Sequence, residues 1–461
     1  MSLADRMPTT VVVGEDAEAD RGEDPGRGRR ADVRTRRNLT PGTRFWLGTL
    51  AAVALGAVVR FLYLFHAAPV WVLGDGFDYH LVAHRLADGL GYTAAMGETG
   101  AEYAHHPPGW VTVLAAVTDL GADSMRAHQV VGLVIGLGVV VIAGLVGRRY
   151  GGRRVGVVAA FIAAAYPGFW VIDVQILSEP LGLFVLGVLM LVLADLWERP
   201  TLARAVLAGG LLGGLTLVRG EELALLAIAV APILLLNRRL DVKRRFAFMG
   251  AAVLTVAVVV APWTIHNLGR FEEPVILSTN GGSTMLAGNC PPRTFGGEFM
   301  GSFDTACNFR LAKQNPGLDA SQADVQGRDV ALDNMRDNVG RLPATMLARY
   351  GRLVAVFRPA QTVQIDADWL GTAKWPIWAW VTSFWFLAPM AAVGSVLLLR
   401  SRRFQWPLVA PAVVVVLVAT VTFGDPRYHT TADLGVVVLA AVAACAAIGR
   451  LTRRRTVPPS A

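Results

Sequence analysis

The sequence predicts an all-helical, polytopic membrane protein, and three observations carry that reading. The 461-residue chain is 54% hydrophobic and only 17% charged, where soluble globular chains carry about 25% charged residues. Its mean hydropathy is +0.46. Its apolar residues fall in continuous runs of helix-spanning length, not in alternation, which excludes a membrane β-barrel. Length alone would allow two or three soluble domains, but the apolar runs overrule that prior. Disorder, collagen, a coiled coil and a small disulfide scaffold are excluded by the same composition.

A spanning helix takes about 20 mostly apolar residues. About ten runs qualify: 45–65, 127–146, 155–172, 176–195, 203–218, 221–237, 247–265, 376–399, 405–423 and 431–448. The positive-inside rule orients them. With the N-terminus in the cytoplasm, the short arginine clusters at 1–44, 147–154, 199–204, 238–245, 400–403 and 450–455 all fall on one side, and they hold 27 of the 43 Lys and Arg. This predicts both termini inside, an even number of spans, and a multi-pass plasma membrane protein. Residues 1–44 mix Asp, Glu, Gly and Arg without an apolar period and read as a disordered cytoplasmic tail. Residues 449–461 read as a second tail. Helix 45–65 is too long and too late for a signal peptide and reads as an uncleaved anchor.

The net charge of +8 does not mark a nucleic-acid binder, because its clusters flank apolar runs. Lysine occurs only at Lys243, Lys313 and Lys374. That bias, with abundant Ala, Val and Gly, fits high-GC coding and an actinobacterial source.

Two long segments remain on the outer side, 66–126 and 266–375. Connections of this length are usually functional or separately folded. They divide the chain into an N-terminal transmembrane module (45–265, with the first loop inside it), an outer loop domain (266–375) and C-terminal helices (376–448). Residues 109–120 are apolar but too few to span, and read as an interfacial helix. Cys290 and Cys307 lie on the oxidising side, where a disulfide would staple a loop with little core. Cys445 lies in the last helix and reads as packing.

The first outer loop carries Gly74-Asp75-Gly76-Phe77-Asp78-Tyr79-His80 and then a helical pattern over 78–88. Leu81, Leu86 and Ala87 share a face, and Gly89 and Gly91 end the helix. Asp75 falls where an N-capping carboxylate would sit. His105-His106-Pro107-Pro108-Gly109-Trp110 opens the interfacial helix. Further boxes follow in order: Leu177-Ser178-Glu179-Pro180, Leu217-Val218-Arg219 with Glu221-Glu222, Ser278-Thr279-Asn280-Gly281-Gly282, and Gly424-Asp425-Pro426-Arg427-Tyr428.

Taken together, these boxes resemble the GT-C glycosyltransferases. More narrowly, they resemble the protein O-mannosyltransferase and aminoarabinose transferase branch, glycosyltransferase family 39. The resemblance covers about 45–450. It implies the GT-C fold and transfer of a sugar from a polyprenyl-phosphate carrier to an acceptor on the outer face, usually with inversion. It implies an acidic general base in the first outer loop and basic residues on the lipid phosphate. The family spacing of acidic residue, Tyr and Ala falls on Asp75, Tyr79 and Ala83. Asp75 is therefore the expected base, with Asp78 the alternative. Glu179 matches a second acidic position that orients the acceptor or a basic partner; the plainer reading is a cap on the fourth span. His106 falls where the aminoarabinose branch carries a basic phosphate contact, against a solvated loop histidine. Arg219 and Arg427 are the expected phosphate ligands, Arg219 otherwise snorkelling to the interface. His105 and Tyr428 are secondary candidates, Tyr428 packing beside Arg427 or anchoring at the interface. His429-Thr430-Thr431 departs from relatives that often carry proline there.

The chemistry supports these residue types independently. Inverting transfer needs a carboxylate within reach of the incoming hydroxyl. A leaving lipid phosphate needs preorganised positive charge, and cations at membrane depth are costly unless they are paired or functional. No cofactor is expected. His80 and His84, four apart, with Asp75, His105 and His106, form a weaker case for a divalent metal site. No nucleotide-binding, GxSxG or HExxH motif is present in the sequence. Segment 321–358 reads as one or two amphipathic helices lying over the site. Trp369, Trp375, Trp378 and Trp380 read as an interfacial belt or, alternatively, as sugar-stacking groups.

The expected partners are a polyprenyl-phosphate sugar, a cell-envelope glycan, glycolipid or protein acceptor, and the bilayer, with no nucleic acid. A lipid or solute transporter is the competing class, but it predicts internal repeats and midplane polar groups that are not seen in the sequence. A non-catalytic scaffold of the same fold is the third reading.

Overall fold

The computed structural model describes residues 40–95 and 100–455. It is built from helices, with no strand among the described residues beyond one isolated bridge between Thr93 and Glu102. The expected tail at 1–44 lies outside the described residues as far as 39, and Pro41 already opens the first helix.

The helices, in chain order, are α1 (Pro41–His66), α2 (Gly74–Ala87), α3 (Pro108–Asp119), α4 (Met125–Gly151), α5 (Arg153–Ala165), α6 (Pro167–Asp173), α7 (Glu179–Glu198) and α8 (Leu202–Val218). After them come α9 (Ala231–Leu235), α10 (Val242–Asn267), α11 (Gly281–Gly288), α12 (Ala306–Gln314), α13 (Ala320–Asp337) and α14 (Leu342–Leu353). The last four are α15 (Pro359–Trp369), α16 (Lys374–Arg400), α17 (Trp406–Val421) and α18 (Thr430–Arg455). Thus α18 runs into the segment expected as a C-terminal tail, and 456–461 lie outside the described residues.

Among the described residues, six helical segments are long and apolar enough to cross a membrane: α1, α4, α7, α10, α16, and α18 with the turn before it. The expected span 155–172 is instead two helices, α5 and α6, bent by 53°. The break falls at Pro167, which cannot donate to the helix ladder. Helices α8 and α17 are apolar but shorter, at 17 and 16 residues. The expected span 221–237 is not a continuous helix. It runs as a 3-10 turn (Gly220–Ala224), a wide π turn (Leu226–Val230) and α9. Large apolar side chains on α1 such as Leu50, Phe61, Leu62 and Phe65 are exposed, which suits a lipid-facing surface and would be a liability in water. Inside the bundle, Arg60 of α1 meets Asp173 at the end of α6 at 2.7 Å, both buried. An intramembrane arginine is tolerated there because it is paired.

The first long connection folds onto one end of the bundle. Helix α2 begins four residues earlier than its sequence pattern indicates, with Leu73 as N-cap and no capping side chain, so Asp75 lies inside the first turn and is not a cap. The buried stripe is Gly76, Tyr79, His80, Val82 and Ala83, not the expected Leu81, Leu86 and Ala87. The reason is close approach at Gly76, where a Cβ would overlap the carbonyl oxygen of Gln175. That contact fixes which face of α2 meets the turn before α7, and 76, 79, 80 and 83 follow at helical spacing. The turn is itself pinned. Ile176 has a φ of 57°, a conformation that costs a β-branched residue about 1–3 kcal/mol. Its carbonyl accepts from Trp110 Nε1 at 2.8 Å, and Val174's carbonyl accepts from Gln129 at 3.0 Å. Trp110 is fully buried on α3, the helix expected as interfacial at 109–120 and opened by Pro108. Glu179 therefore starts α7 from a rigid base.

The second long connection holds α11 to α15. Cys290 and Cys307 are joined in a disulfide and pack with Leu286 and Ala331. The amphipathic stretch 321–358 becomes α13 and α14, with α13 opened by a capping box of Asp319 and Gln322. Of the four tryptophans, Trp375 is half exposed, whereas Trp380 is fully buried and donates to Tyr166 Oη at 3.1 Å. Trp380 is thus core and not interfacial, because α16 turns that face toward α6 and α18.

Candidate active site

A cavity of about 780 Å³ opens between the two long connections and the adjoining helix ends. Asp75, Tyr79, His105, His106, Arg219, Arg427 and Tyr428 all line it. Asp78 does not: the Tyr103 hydroxyl donates to it, and burial raises its pKa above the ordinary carboxylate value. The site residues expected from the sequence are thus brought together, apart from Asp78 and with Glu179 lying beneath the wall.

The centre is an alternating chain of charges. Asp75 Oδ2 accepts from Arg427 Nη1 at 2.8 Å, and Arg427 Nε donates to Glu179 Oε1 at 2.5 Å. Glu179 Oε1 also meets Arg219 Nη1 at 3.0 Å, and Arg219 Nη2 reaches Glu221 Oε1 at 2.5 Å. Glu179 is completely buried. A carboxylate so placed is tolerable only with partners, and two guanidinium groups supply them. Glu179 therefore pairs with both basic residues. The expected phosphate ligands Arg219 and Arg427 are not bare cations here, since each spans two carboxylates.

The Arg427 guanidinium is aimed by its own loop. Asp425 Oδ1 accepts the Arg427 backbone N–H at 2.7 Å. Gly424 lies so close to α14 that a Cβ there would overlap the Arg349 carbonyl. The loop is thereby clamped between the second connection and α17.

Burial works to raise the Asp75 pKa, yet Arg427 and then His106 outweigh it and hold the carboxyl well below the usual range. His106 is 7% exposed, and its ring stacks on Tyr79 with centroids 4.5 Å apart. Burial and the neighbouring His105 push its pKa down to about 3, so the ring is neutral at ordinary pH. Its Nε2 lies 3.8 Å from Asp75 Oδ1 and has no hydrogen-bond partner. Tyr428 packs against Phe423 within the cavity wall.

Further lining residues are Trp369, from the cluster read as a belt or as sugar-stacking groups, Asp324 and Arg328, from the segment expected over the site, and Asp425 and Asn308, which had no assigned role. Asp425 stands in a recognised box, and Trp369 in a recognised cluster. Asn308 carries no local signal, because only the packing of α11, α12 and α13 brings it to the wall. Apolar residues Val275, Ile276, Leu277, Val418 and Val421 line the side toward α10 and α17. A second cavity of about 530 Å³ adjoins the first across His105, Thr279, Ser283, Asn308 and Asp324.

The histidines do not gather into a metal centre. His80 packs against His128 of α4, Nδ1 to Nδ1 at 3.0 Å, and His84 Nε2 donates to the Asp123 carbonyl at 2.8 Å. Among the described residues, no group of three or more His, Cys, Asp or Glu side chains is arranged to hold a metal.

Known proteins agree with this architecture. Residues 105–266 match the family described as dolichyl-phosphate-mannose-protein mannosyltransferase. The oligosaccharyltransferase AglB from Archaeoglobus fulgidus, solved with an inhibitory peptide and a dolichol-phosphate, is similar with a TM-score of 0.52 at 15% identity, over 89% of this chain and 51% of that one. The same protein has been solved with Zn and sulfate (TM-score 0.52, 14% identity, 88% and 50% covered). ArnT from Cupriavidus metallidurans, bound to undecaprenyl phosphate, matches with a TM-score of 0.41 at 17% identity, over 92% and 82%. This chain spans about half the length of AglB. None of the curated proteins matches it. The protein is a multi-pass membrane protein with the GT-C fold, and the resemblance read from its ordered boxes is borne out.

Proposed function

We propose that this protein is an inverting glycosyltransferase of the outer face of the plasma membrane, with both termini cytoplasmic. It moves a sugar from a polyprenyl-phosphate carrier to an acceptor hydroxyl. The observation that carries this is the Asp75–Arg427–Glu179–Arg219 chain in the wall of a cavity with one apolar side. The volume of about 780 Å³ suits a sugar phosphate with the first part of a prenyl chain. The arginine-rich segments between the other helix ends support the cytoplasmic assignment.

The residues take these roles. The prenyl chain lies along Val275, Ile276, Val418 and Val421. The donor phosphate takes Arg427 and Arg219, and in doing so displaces Asp75 from Arg427. Asp75 then accepts the proton of the acceptor hydroxyl as that oxygen attacks the anomeric carbon from the face opposite the phosphate. The bond between the anomeric carbon and the phosphate oxygen breaks, and its electron pair leaves with the phosphate. The two guanidinium groups stabilise the charge that develops there. Glu179, buried and two-handed, keeps both arginines aimed.

The test is transfer by purified protein in lipid, using a panel of polyprenyl-phosphate sugars and cell-envelope acceptors. Wild type and Asp75→Asn run side by side, with and without chelator. Turnover of one donor, lost in the variant, supports the reading and names the sugar. Undiminished turnover in Asp75→Asn removes Asp75 as base. No turnover of any donor, with lipid flipping instead, moves the protein to the transporter class.

A further inference from the structure

We infer that His106 is a catalytic residue that seats the acceptor hydroxyl between its Nε2 and Asp75 Oδ1, rather than a ligand of the donor phosphate. The inference rests on the glycosyltransferase reading above and deepens it.

Three observations point this way. First, His106 Nε2 is a buried polar atom in the cavity wall with no partner. Such an atom is costly to bury unless something binds it. Secondly, its 3.8 Å separation from Asp75 Oδ1 is too long for a hydrogen bond between the two. One oxygen at about 2.8 Å from each fits the gap. Thirdly, Asp75 Oδ2 is engaged by Arg427, so Oδ1 is the oxygen turned to His106. The ring is held in plane by its stack on Tyr79, whose own hydroxyl bonds to Ser178. A neutral imidazole adds no positive charge to a phosphate site, and the two arginines already supply it.

A hydroxyl seated there donates its proton to Asp75 Oδ1 and receives the His106 N–H on one lone pair. Its other lone pair is left to attack the anomeric carbon. The proton passes to Asp75, the new bond forms between this oxygen and the sugar, and the phosphate leaves with the pair from the broken bond. His106 keeps its proton throughout.

Three variants test this. His106→Phe keeps the stack on Tyr79 but removes the nitrogen, His106→Gln restores an N–H near the Nε2 position, and His106→Ala removes both. The probes are undecaprenyl phosphate for binding, and polyprenyl-phosphate mannose for hydrolysis and for transfer to a threonine-containing peptide. His106→Phe is expected to lower turnover about 10–100-fold, the worth of one hydrogen bond to a reacting group. Gln should recover much of it. Undecaprenyl phosphate should bind all three variants within about twofold of wild type, which also shows that they fold. Weaker lipid binding in Phe with recovery in Gln would make His106 a phosphate ligand and overturn the inference. Turnover equal to wild type in Phe would overturn it as well. Wild-type protein that neither binds undecaprenyl phosphate nor turns over any polyprenyl sugar would sink the underlying reading, and the inference with it.

Discussion

Two pairs of arginines sit at the same end of this bundle and are buried in opposite ways. Arg219 and Arg427 face the cavity and each bridges carboxylates. Arg349 and Arg352 of α14 are completely buried, yet among the described residues neither ion-pairs with a carboxylate. Arg349 donates to the carbonyls of Thr420 at 2.5 Å and Gly288 at 3.1 Å, and to Asn289 Oδ1 at 2.7 Å. The two carbonyls lie at the C-terminal ends of α17 and α11, where unsatisfied oxygens and the helix dipole favour a cation. Arg352 bonds the Met300 carbonyl, Gln361 and Thr362. Burial pulls each guanidinium down only to about 10, so both remain charged near neutral pH. The contrast separates exchangeable from fixed cations. A phosphate can replace a carboxylate on Arg427 with charge conserved. Nothing can replace the backbone carbonyls on Arg349 without leaving them unpaired.

The largest effect expected from this contrast is at Asp75. Asp75→Asn should lower sugar transfer by about 10²–10⁴-fold, the usual contribution of a positioned base. It should also tighten undecaprenyl phosphate binding, because the competitor for Arg427 has lost its charge. Binding measured by lipid titration decides the second point. Weaker binding in the variant would mean that Asp75 helps to hold the lipid and is no placeholder for phosphate.

Arg427→Gln comes next. Lipid phosphate binding should fall by about 10²-fold, the scale on which truncating one partner of a buried, hydrogen-bonded charge pair costs 2–5 kcal/mol. Stability should fall too, since Glu179 keeps only Arg219. Arg349→Met is the counterpart. It should destabilise the fold by about 2–4 kcal/mol, because several buried acceptors lose their donor, while the folded fraction binds undecaprenyl phosphate as wild type does. Thermal unfolding in detergent beside the lipid titration separates the two arginines. Lipid binding lost equally in both variants would erase the distinction between them.

How far the sequence revealed these features follows from their range. The long apolar helices, a short helix at 108–119 and the pairing of Cys290 with Cys307 were legible, because apolar runs, opening prolines and cysteine placement signal them locally. Asp75, Glu179, Arg219 and Arg427 were legible as separate boxes. Their fusion into one alternating chain was not, because it links residues up to 352 positions apart. The break at Pro167 was written in the sequence, but the apolar run hid it. The face of α2 was misread because its register is set by Gly76 against Gln175, a contact that no periodicity encodes. Arg349 and Arg352 lie within the segment read only as amphipathic, 321–358; the neighbouring helix ends make them core.

The smallest expected effect tests why Arg427 is not over-neutralised. Asp366 of α15, which is buried, and Asp425, which is partly buried in the cavity wall, lie near this arginine. Asp366 Oδ2 has no hydrogen-bond partner. Burial first, and then Asp425, raises the Asp366 pKa well above the ordinary carboxylate value. A raised folded pKa contributes stability that is fully present below the unfolded value of about 3.9, and it is lost as pH rises through the folded value. Between those limits the carboxyl must take up a proton on folding, at about 1.4 kcal/mol per pH unit. Asp366→Asn is neutral at every pH and escapes that cost. The variant should therefore be more stable than wild type at pH 8, with a smaller gain at pH 5. Denaturation midpoints at the two pH values measure it. A gain that is the same at both would mean that Asp366 is not held protonated. Arg427 would then face two further carboxylates, and a phosphate would have to displace more than Asp75 to reach it.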